Sequence, residues 1–299
     1  MSTVLHINNL SKNYGKVKAL QNLDLHVEKG NIYGLLGPNG SGKTTTLGII
    51  LGVTNASSGE YSWFGEAPTA QVRRKIGAIL ESPTFYPYLS GEQNLKVICA
   101  IKQVPLTAIE PVLKMVNLFE RKDDPFKGYS LGMKQRLAIA SAMLADPSVL
   151  ILDEPTNGLD PQGIAEIREL IVSIAQSGKT IILASHLLDE VQKVCTHFAV
   201  LKRGKKIYAG SVNEALAESE TVEMSAPDME ALLHRAQSFT HLKSFQHEND
   251  KLVVKLEDGA NVSDLHKHLI EGNIVLNHLT VKRKSLEKQF LELLAQAND

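Results

Sequence analysis

One segment of the chain combines residue types that suit the binding of a phosphate chain, and it reads Gly37-Pro38-Asn39-Gly40-Ser41-Gly42-Lys43-Thr44-Thr45. The segment matches the pattern G-x-x-x-x-G-K-[ST] and lies between a predicted strand and a predicted helix, the context that the pattern requires. Glycines allow backbone N–H groups to wrap around phosphates, and the start of a helix favours negative charge. We therefore predict a nucleotide-binding loop in which Lys43 reaches the terminal phosphates. A chance glycine-rich loop is the alternative.

Two adjacent carboxylates, Asp153 and Glu154, follow directly after the apolar run Val149–Leu152. Such a run predicts a buried strand, and ligands of open α/β folds collect where the strands end. Oxygen ligands suit Mg²⁺, so Asp153 and Thr44 are predicted to hold this ion. Glu154 is predicted to polarise an attacking water as general base. A pair of helix-capping acids is the alternative for these two residues.

The elements that must position these residues follow from the hydrophobic pattern. Short β-branched and aliphatic runs alternate with longer segments of helical periodicity, which is typical of an α/β fold with a mostly parallel, covered sheet. The runs are Ile32–Leu36, Ile76–Leu80, Val149–Leu152 and Thr180–Ala184. Ser90 with Gln93 predicts a helix capping box, and Asp160 before Pro161 predicts the start of another helix.

A change of pattern near residue 218 predicts a second domain over residues 218–299. It follows a predicted strand at Ile207–Gly210 and a short predicted helix near Val212–Leu216. Beyond it, the alternating segment Leu252–Leu256 and helical patterns near residues 264–270 and 285–295 predict a small α+β domain.

Histidines are concentrated in this second domain, which contains six of the ten in the chain. His266 and His268 are two residues apart in a predicted helix, so they do not share a helix face. No cysteine or dense carboxylate cluster accompanies them, and a metal site is not expected. A regulatory or dimer-supporting role is expected instead.

The composition limits the class of protein. The 32 basic and 33 acidic residues nearly cancel, so no overall positive field would attract nucleic acid, and no nucleic-acid partner is expected. The two cysteines, Cys99 and Cys195, argue against a disulfide framework and suit a reducing cytosol. No apolar run approaches the roughly 18 to 20 residues of a membrane span, and the start of the chain lacks a signal-peptide pattern. Membrane contact is therefore expected only through a partner.

Three further segments occur in a fixed order around the carboxylate strand. They are Tyr129-Ser130-Leu131-Gly132-Met133-Lys134-Gln135 before it, Asn157-Gly158-Leu159-Asp160 after it, and Ser185-His186 after the next strand. Together with the phosphate loop and the carboxylate pair, this order resembles the ATP-binding cassette family over roughly residues 4 to 215. The resemblance implies a P-loop NTPase domain over residues 1–217, with a helical subdomain over about residues 90–147, that hydrolyses ATP with Mg²⁺.

A head-to-tail dimer of two copies is also implied by this resemblance. Each ATP would lie between the phosphate loop of one copy and the segment Ser130 to Gly132 of the other, and Asp160 would organise the interface. A hydroxyl, a glycine and a helix start form an anion site, which would be redundant unless it faced a phosphate across an interface. Considered alone, Ser130 is an ordinary helix cap.

The resemblance assigns roles to two more side chains. His186 would contact the γ-phosphate and act with Glu154 and Lys43, and Tyr14 would stack on adenine through its ring face. Considered alone, His186 suits a buried core position, and Tyr14 suits an exposed turn.

The chain departs from the family pattern at three positions. Glu81 stands where the family usually has a glutamine that contacts Mg²⁺, so a carboxylate is expected to ligate the metal here. Leu131 replaces the first of two usual glycines in the signature segment, and Met133 replaces a usual glutamine.

These departures, with the segment that follows Glu81, resemble the branch that includes bacitracin exporters and lantibiotic self-protection transporters. In that segment Phe85, Tyr86 and Tyr88 form an aromatic cluster among prolines, which is expected to receive a short helix of a membrane partner. Ordinary loop packing is the alternative.

The sequence therefore predicts a cytoplasmic ATPase that is peripheral on the inner face of the cell membrane. Its expected partners are a second copy of itself and a separately encoded integral membrane permease, and export of a peptide antibiotic is the expected direction and cargo. Two alternatives are a soluble cassette ATPase that remodels a ribosomal or nucleic-acid partner and a catalytically idle regulatory cassette.

Overall fold

The structure, a computed structural model, describes residues 2–80, 84–217, 220–248, 250–257 and 259–283. The chain divides into two compact units, Met1–Gly210 and Ser211–Asp299. This division falls ahead of the boundary predicted near residue 218, because the helix Val212–Ala217 groups with the second unit. The predicted helix near residues 285–295 lies outside the described residues.

The bounds of the elements follow the chain. Up to residue 211 the strands are β1 (Thr3–Tyr14), β2 (Val17–Glu28), β3 (Ile32–Leu36), β4 (Ser58–Trp63), β5 (Ile76–Ile79), β6 (Val149–Asp153), β7 (Thr180–Ser185), β8 (His197–Lys202) and β9 (Lys205–Ser211). The helices of this part are α1 (Lys43–Ile50), α2 (Ala70–Arg73), α3 (Gly91–Lys102), α4 (Ile109–Met115), α5 (Leu131–Met143), α6 (Pro161–Gln176) and α7 (Leu188–Val194). The remaining elements are α8 (Val212–Ala217), β10 (Glu220–Ser225), α9 (Met229–Gln237), β11 (Leu242–Glu248), β12 (Lys251–Leu256), α10 (Val262–Glu271) and β13 (His278–Arg283). No helix in the described ranges combines the length and the hydropathy that a membrane span requires.

The larger sheet of the first unit has the strand order β5-β6-β7-β3-β8-β9. The pairs β5–β6, β6–β7, β7–β3 and β3–β8 are parallel. Every residue of β3, β6 and β7 is buried, which explains why these strands are apolar along nearly their whole length. The α/β fold with a mostly parallel sheet is confirmed.

A second, antiparallel sheet with the order β2-β1-β4 is not among the predicted elements. Leu5, Ile7 and Leu10 of β1 are fully buried, and they join a core cluster that also contains residues of α1. Register shifts between Ile7 and Leu10 interrupt the alternation of buried and exposed residues, so the period of two that identifies a strand is weak here. This sheet shares a core with the helix that follows the phosphate loop.

Helices α3, α4 and α5 lie between β5 and β6, in the range where the helical subdomain is predicted. The capping box is confirmed, because the Ser90 hydroxyl accepts from the Gln93 N–H and the Gln93 side chain accepts from the Ser90 N–H. At the start of α6, Asp160 accepts from the Gly163 N–H, as its position before Pro161 predicts.

The second unit has a β-α-β-β-α-β order from β10 to β13. Its antiparallel sheet has the strand order β11-β12-β10-β13. Residues of the sheet such as Met224 and Leu252 form a separate core with Leu232 of α9 and with Leu265 and Leu269 of α10. The prediction of a small α+β fold after the first unit is confirmed.

Trp63 ties the antiparallel sheet to α1, because it is fully buried and its Nε1–H donates to the Ile50 carbonyl at 2.9 Å. The Trp63→Phe variant loses this bond and leaves a cavity, so we expect its free energy of unfolding to fall by about 1–3 kcal/mol. Trp63 is the single tryptophan of the chain, so unfolding should be followed by circular dichroism. An unchanged unfolding midpoint would contradict the importance of this contact.

Candidate functional site

Three neighbouring strands of the parallel sheet end at one edge, and each leads into a predicted site segment. Leu36 at the end of β3 pairs with Ser185 at the end of β7, and Asp153 at the end of β6 pairs with Ala184. The loop of residues 37–42, the Asp153-Glu154 pair and His186 therefore follow strands whose carboxyl ends are level. This register brings together residues that are far apart in the sequence.

Lys43, the first residue of α1, has its ammonium group inside the phosphate loop. The residue is 5% exposed, and its Nζ donates to the Gly37 carbonyl at 2.7 Å and to the Pro38 carbonyl at 3.4 Å. Nζ also lies 3.3 Å from Oε1 of Glu154. The phosphate loop thus holds the Lys43 ammonium near the carboxyl ends of β3 and β6.

Two glycines of the loop leave no room for a side chain. A Cβ on Gly37 would overlap with the Leu201 carbonyl oxygen. Gly42 has a φ of +110°, and a Cβ there would lie 2.7 Å from Cδ2 of Leu20 and 2.8 Å from the Ala19 carbonyl oxygen. The loop pattern therefore reflects close approach of the backbone to β2 and β8 as well as access to phosphates.

Thr44 and Asp153 meet as the sequence predicts, since the Thr44 hydroxyl donates to Oδ2 of Asp153 at 2.9 Å. Asp153 is 4% exposed, so its carboxylate lies within the protein at the edge of the sheet. A hydroxyl and a carboxylate oxygen that touch are a donor set of the kind that Mg²⁺ takes, usually with water and phosphate oxygens. These two residues fit a magnesium ion.

Glu154 lies between two basic groups. Its Oε2 is 2.7 Å from Nδ1 of His186, and its Oε1 faces the Lys43 ammonium. The backbone of Glu154 has a φ of +49°, an uncommon conformation for a residue with a side chain, and its N–H donates to the Ala184 carbonyl at 2.9 Å. His186 is 37% exposed at its side chain, so it is not a buried core histidine. Strained backbone of this kind is concentrated at functional sites.

Beside the loop lies a cleft of about 570 Å³ that extends from Glu154 to Tyr14. Tyr14, at the end of β1, is half exposed, and the Lys12 ammonium lies 4.8 Å from the centre of its ring. Val17, Lys18 and Arg203 also line the cleft and are not among the predicted site residues. Val17 and Lys18 follow Tyr14 across the β1–β2 hairpin, which could have indicated them. Arg203 belongs to no recognisable motif.

The signature segment lies elsewhere on the first unit. Ser130, Gly132 and Asp160 line another cleft, and the residues that line it do not include any that line the cleft at the phosphate loop. The Ser130 hydroxyl accepts from the Met133 N–H at 3.2 Å, so this serine caps α5. A single copy of the chain therefore does not bring the signature segment to the phosphate loop.

The remaining predicted residues have separate surroundings. Glu81 lies outside the described residues. Of the aromatic cluster, Phe85 contacts the ring of Phe126 at 5.1 Å between centroids, whereas Tyr86 and Tyr88 contact each other at 5.9 Å. Both tyrosines are exposed, at 49% and 72%.

Comparison with known proteins shows the family to which the chain belongs. A family model described as ABC transporter matches residues 20–157. The lantibiotic transport ATP-binding protein SrtF of Streptococcus pyogenes is 43% identical over 70% of this chain and 93% of its own length. The bacitracin transport ATP-binding protein BcrA of Bacillus licheniformis is 34% identical over 98% of each chain.

The chain belongs to the ABC transporter ATP-binding protein family. A solved structure of cbiO1 from Clostridium perfringens, part of the ABC transporter complex cbiONQ, superimposes with a TM-score of 0.67 at 31% identity, covering 73% of this chain and 92% of cbiO1. The protein is the ATP-binding, ATP-hydrolysing subunit of an ABC transporter. Its parallel sheet and phosphate loop are those of an ABC cassette.

Gly42 and Gly40 give a matched pair of substitutions in the phosphate loop of this cassette. Both have positive φ, but a Cβ on Gly40 would meet no atom within 4 Å. We expect Gly40→Ala to cost about 1–2 kcal/mol of stability through backbone strain. Gly42→Ala should cost about 1–3 kcal/mol more because of its clashes. Thermal unfolding of the nucleotide-free variants measures both, and equal shifts would contradict the role of close packing at Gly42.

Proposed function

We propose that this ABC cassette hydrolyses ATP with Mg²⁺ in a dimer of two copies and so drives a separate membrane permease. The observation that carries the proposal is the meeting of Lys43, Asp153, Glu154 and His186 at one sheet edge, within hydrogen-bond or ion-pair distance of one another or of Thr44. Phosphoryl transfer needs positioned charges more than covalent chemistry, and this set supplies a cation, a metal-binding pair and a carboxylate.

The proposed roles follow from these contacts. Backbone N–H groups of the phosphate loop and the Lys43 ammonium bind the terminal phosphates. Thr44 and Asp153 hold Mg²⁺, which when bound neutralises phosphate charge. Glu154 accepts the proton of the attacking water, and His186, whose Nδ1 touches the Glu154 carboxylate, orients that group and contacts the γ-phosphate. Tyr14 provides an exposed ring face for adenine.

The separation of two clefts supports the dimer. The phosphate loop lines one cleft, whereas Ser130, Gly132 and Asp160 line another in the same chain. Because the Ser130 hydroxyl accepts from a backbone N–H, its own proton stays available as a donor to an acceptor outside the chain. A second copy placed head to tail would bring this donor and the start of α5 to the nucleotide held by the first.

A membrane permease is proposed as the other partner, with the subunit on the cytoplasmic face. Tyr86 and Tyr88 are an exposed aromatic pair at the start of the helical segment, a surface suited to an apolar side of a short helix. SrtF and BcrA are named for transport of a lantibiotic and of bacitracin, which favours export of a peptide antibiotic as the cargo of this transporter. These names also favour transport over the remodelling of a ribosomal or nucleic-acid partner.

The role of Glu154 can be tested with Glu154→Gln. The amide keeps the shape of the side chain but is a far weaker base, so turnover should fall about hundred- to ten-thousand-fold while ATP affinity is retained. ATP should then hold the variant as a dimer in size-exclusion chromatography. Glu169→Gln, an exposed change on α6, is the matched control and should keep wild-type turnover. Undiminished phosphate release by Glu154→Gln would remove Glu154 from the role of base.

The permease proposal is tested by affinity purification of the chain from detergent-solubilised membranes of its source. We expect a polytopic membrane protein in a stoichiometric amount, identified by mass spectrometry. The Tyr86→Ala/Tyr88→Ala variant should reduce its recovery, whereas ATP binding should remain. Recovery of ribosomal or nucleic-acid partners alone would overturn the permease assignment.

A further inference from the structure

A buried carboxylate in α7 is not explained by any of the roles above. Glu190 is 1% exposed, although it belongs to a residue type that is rarely buried without a specific partner. Burial of an ionised carboxylate is costly unless its oxygens accept hydrogen bonds, so such a group is retained for a reason.

Both oxygens of this carboxylate accept hydrogen bonds from hydroxyl groups. Thr156 donates to Oε1, and Ser185 donates to Oε2 at 2.8 Å. The two hydroxyl-bearing residues are 4% and 0% exposed. We define Thr156, Ser185 and Glu190 as the buried hydroxyl–carboxylate cluster.

The cluster connects the two loops that carry the proposed catalytic groups. Thr156 is two residues after Glu154, and Ser185 directly precedes His186. Ser185 is further fixed, because its hydroxyl oxygen accepts from the Leu187 N–H at 3.0 Å and its carbonyl accepts from the Gly37 N–H at 3.3 Å. Glu190 therefore connects the loop after β6, the end of β7 and, through Ser185, the phosphate loop.

The surroundings of the cluster are buried. Cys195, which follows α7, is also buried, and burial raises the pKa of its thiol, with the nearby Glu190 carboxylate adding to the rise. In such surroundings hydrogen bonds are stronger than in water, and a missing partner costs more. The cluster is thus a buried, hydrogen-bonded connection rather than a solvent-exposed contact.

We propose that Glu190 is a positioning residue that holds Glu154 and His186 at their working separation, through hydrogen bonds to Thr156 and Ser185. The inference rests on the proposed roles of Glu154 and His186. Displacement of reacting groups by about 1 Å can lower a rate about hundredfold. A change in the buried cluster that shifts the loop of Glu154 or the loop of His186 should therefore lower turnover. Substrate binding by the phosphate loop depends less on this separation, so the effect should fall on kcat rather than on KM.

The test is steady-state ATP hydrolysis by the full-length chain with variants of the cluster. Glu190→Leu removes both acceptors, and Thr156→Val removes one donor with little change in shape. We expect each to lower kcat about tenfold or more while KM changes by less than about threefold. Glu190→Gln keeps hydrogen bonding to both hydroxyls after they rotate, so it should retain kcat within about threefold of wild type.

Thr180→Val is the matched control, because Thr180 is 1% exposed at the opposite end of β7 and its hydroxyl accepts from the Gly30 N–H at 2.9 Å. This control also loses the hydrogen bond of a buried threonine hydroxyl and should keep wild-type kcat. The double variant Thr156→Val/Ser185→Ala should lose less than the product of the two single losses, since both residues act through one carboxylate. If Glu190→Leu does not fold, the proposal is tested with Thr156→Val and Ser185→Ala alone.

Two results would overturn the positioning role. One is a kcat for folded Thr156→Val and Ser185→Ala that matches that of Thr180→Val. The other is a loss in Glu190→Gln as large as that in Glu190→Leu. Measurement of Glu154→Gln in parallel distinguishes failure of the positioning role from failure of the proposed function. High turnover by Glu154→Gln would overturn the role of Glu154 as base, whereas the comparison of the cluster variants with wild type would still stand.

Discussion

The register between parallel strands is the constraint on which the site depends. Asp153 pairs with Ala184, and Ser185 pairs with Leu36, so the ends of β6, β7 and β3 are level. Side chains along a strand alternate between faces, so a slip of one residue would turn Asp153 away from Thr44 and carry Glu154 out of reach of His186. The strands are buried on both faces, and the core against which they pack therefore fixes the register that the chemistry needs.

Within that frame, the direction of the Glu154 side chain is set by an unfavourable backbone conformation. A φ of +49° costs about 1–2 kcal/mol for a residue with a Cβ. The bond from the Glu154 N–H to the Ala184 carbonyl and the one from the Asn157 N–H to the Glu154 carbonyl hold this conformation in place. The Lys43 ammonium and the His186 ring nitrogen give the carboxylate partners in return.

Residue types and spacing were enough to predict the parallel core and the residues of the phosphate loop, since both depend on local patterns of glycine and of apolar runs. The helix starts at Ser90 and Asp160 could be predicted for the same reason, because a cap is a contact within one turn. The β1–β4 sheet could not, since bulges near Leu10 break its alternation. Arg203 and Glu190 could not be predicted either. Arg203 lines the cleft only because a turn places it beside the phosphate loop, and Glu190 lies in an ordinary helical segment. The contacts of these two residues depend on segments that are distant in the sequence.

Ser185 shows how few groups connect the parts of the site. Its carbonyl accepts from the first residue of the phosphate loop, and its hydroxyl donates to Glu190, which also binds the Thr156 hydroxyl behind Glu154. Movement of the phosphate loop at Gly37 must then be accommodated at the end of β7, where His186 begins, or must break a buried hydrogen bond. An apolar substitute for this cluster could fill the same volume, but its contacts would have no direction and would allow the two loops to slide past each other. Directional bonds in a buried interior link the positions of Glu154 and His186, and under the proposed roles the two side chains would respond to bound phosphate together.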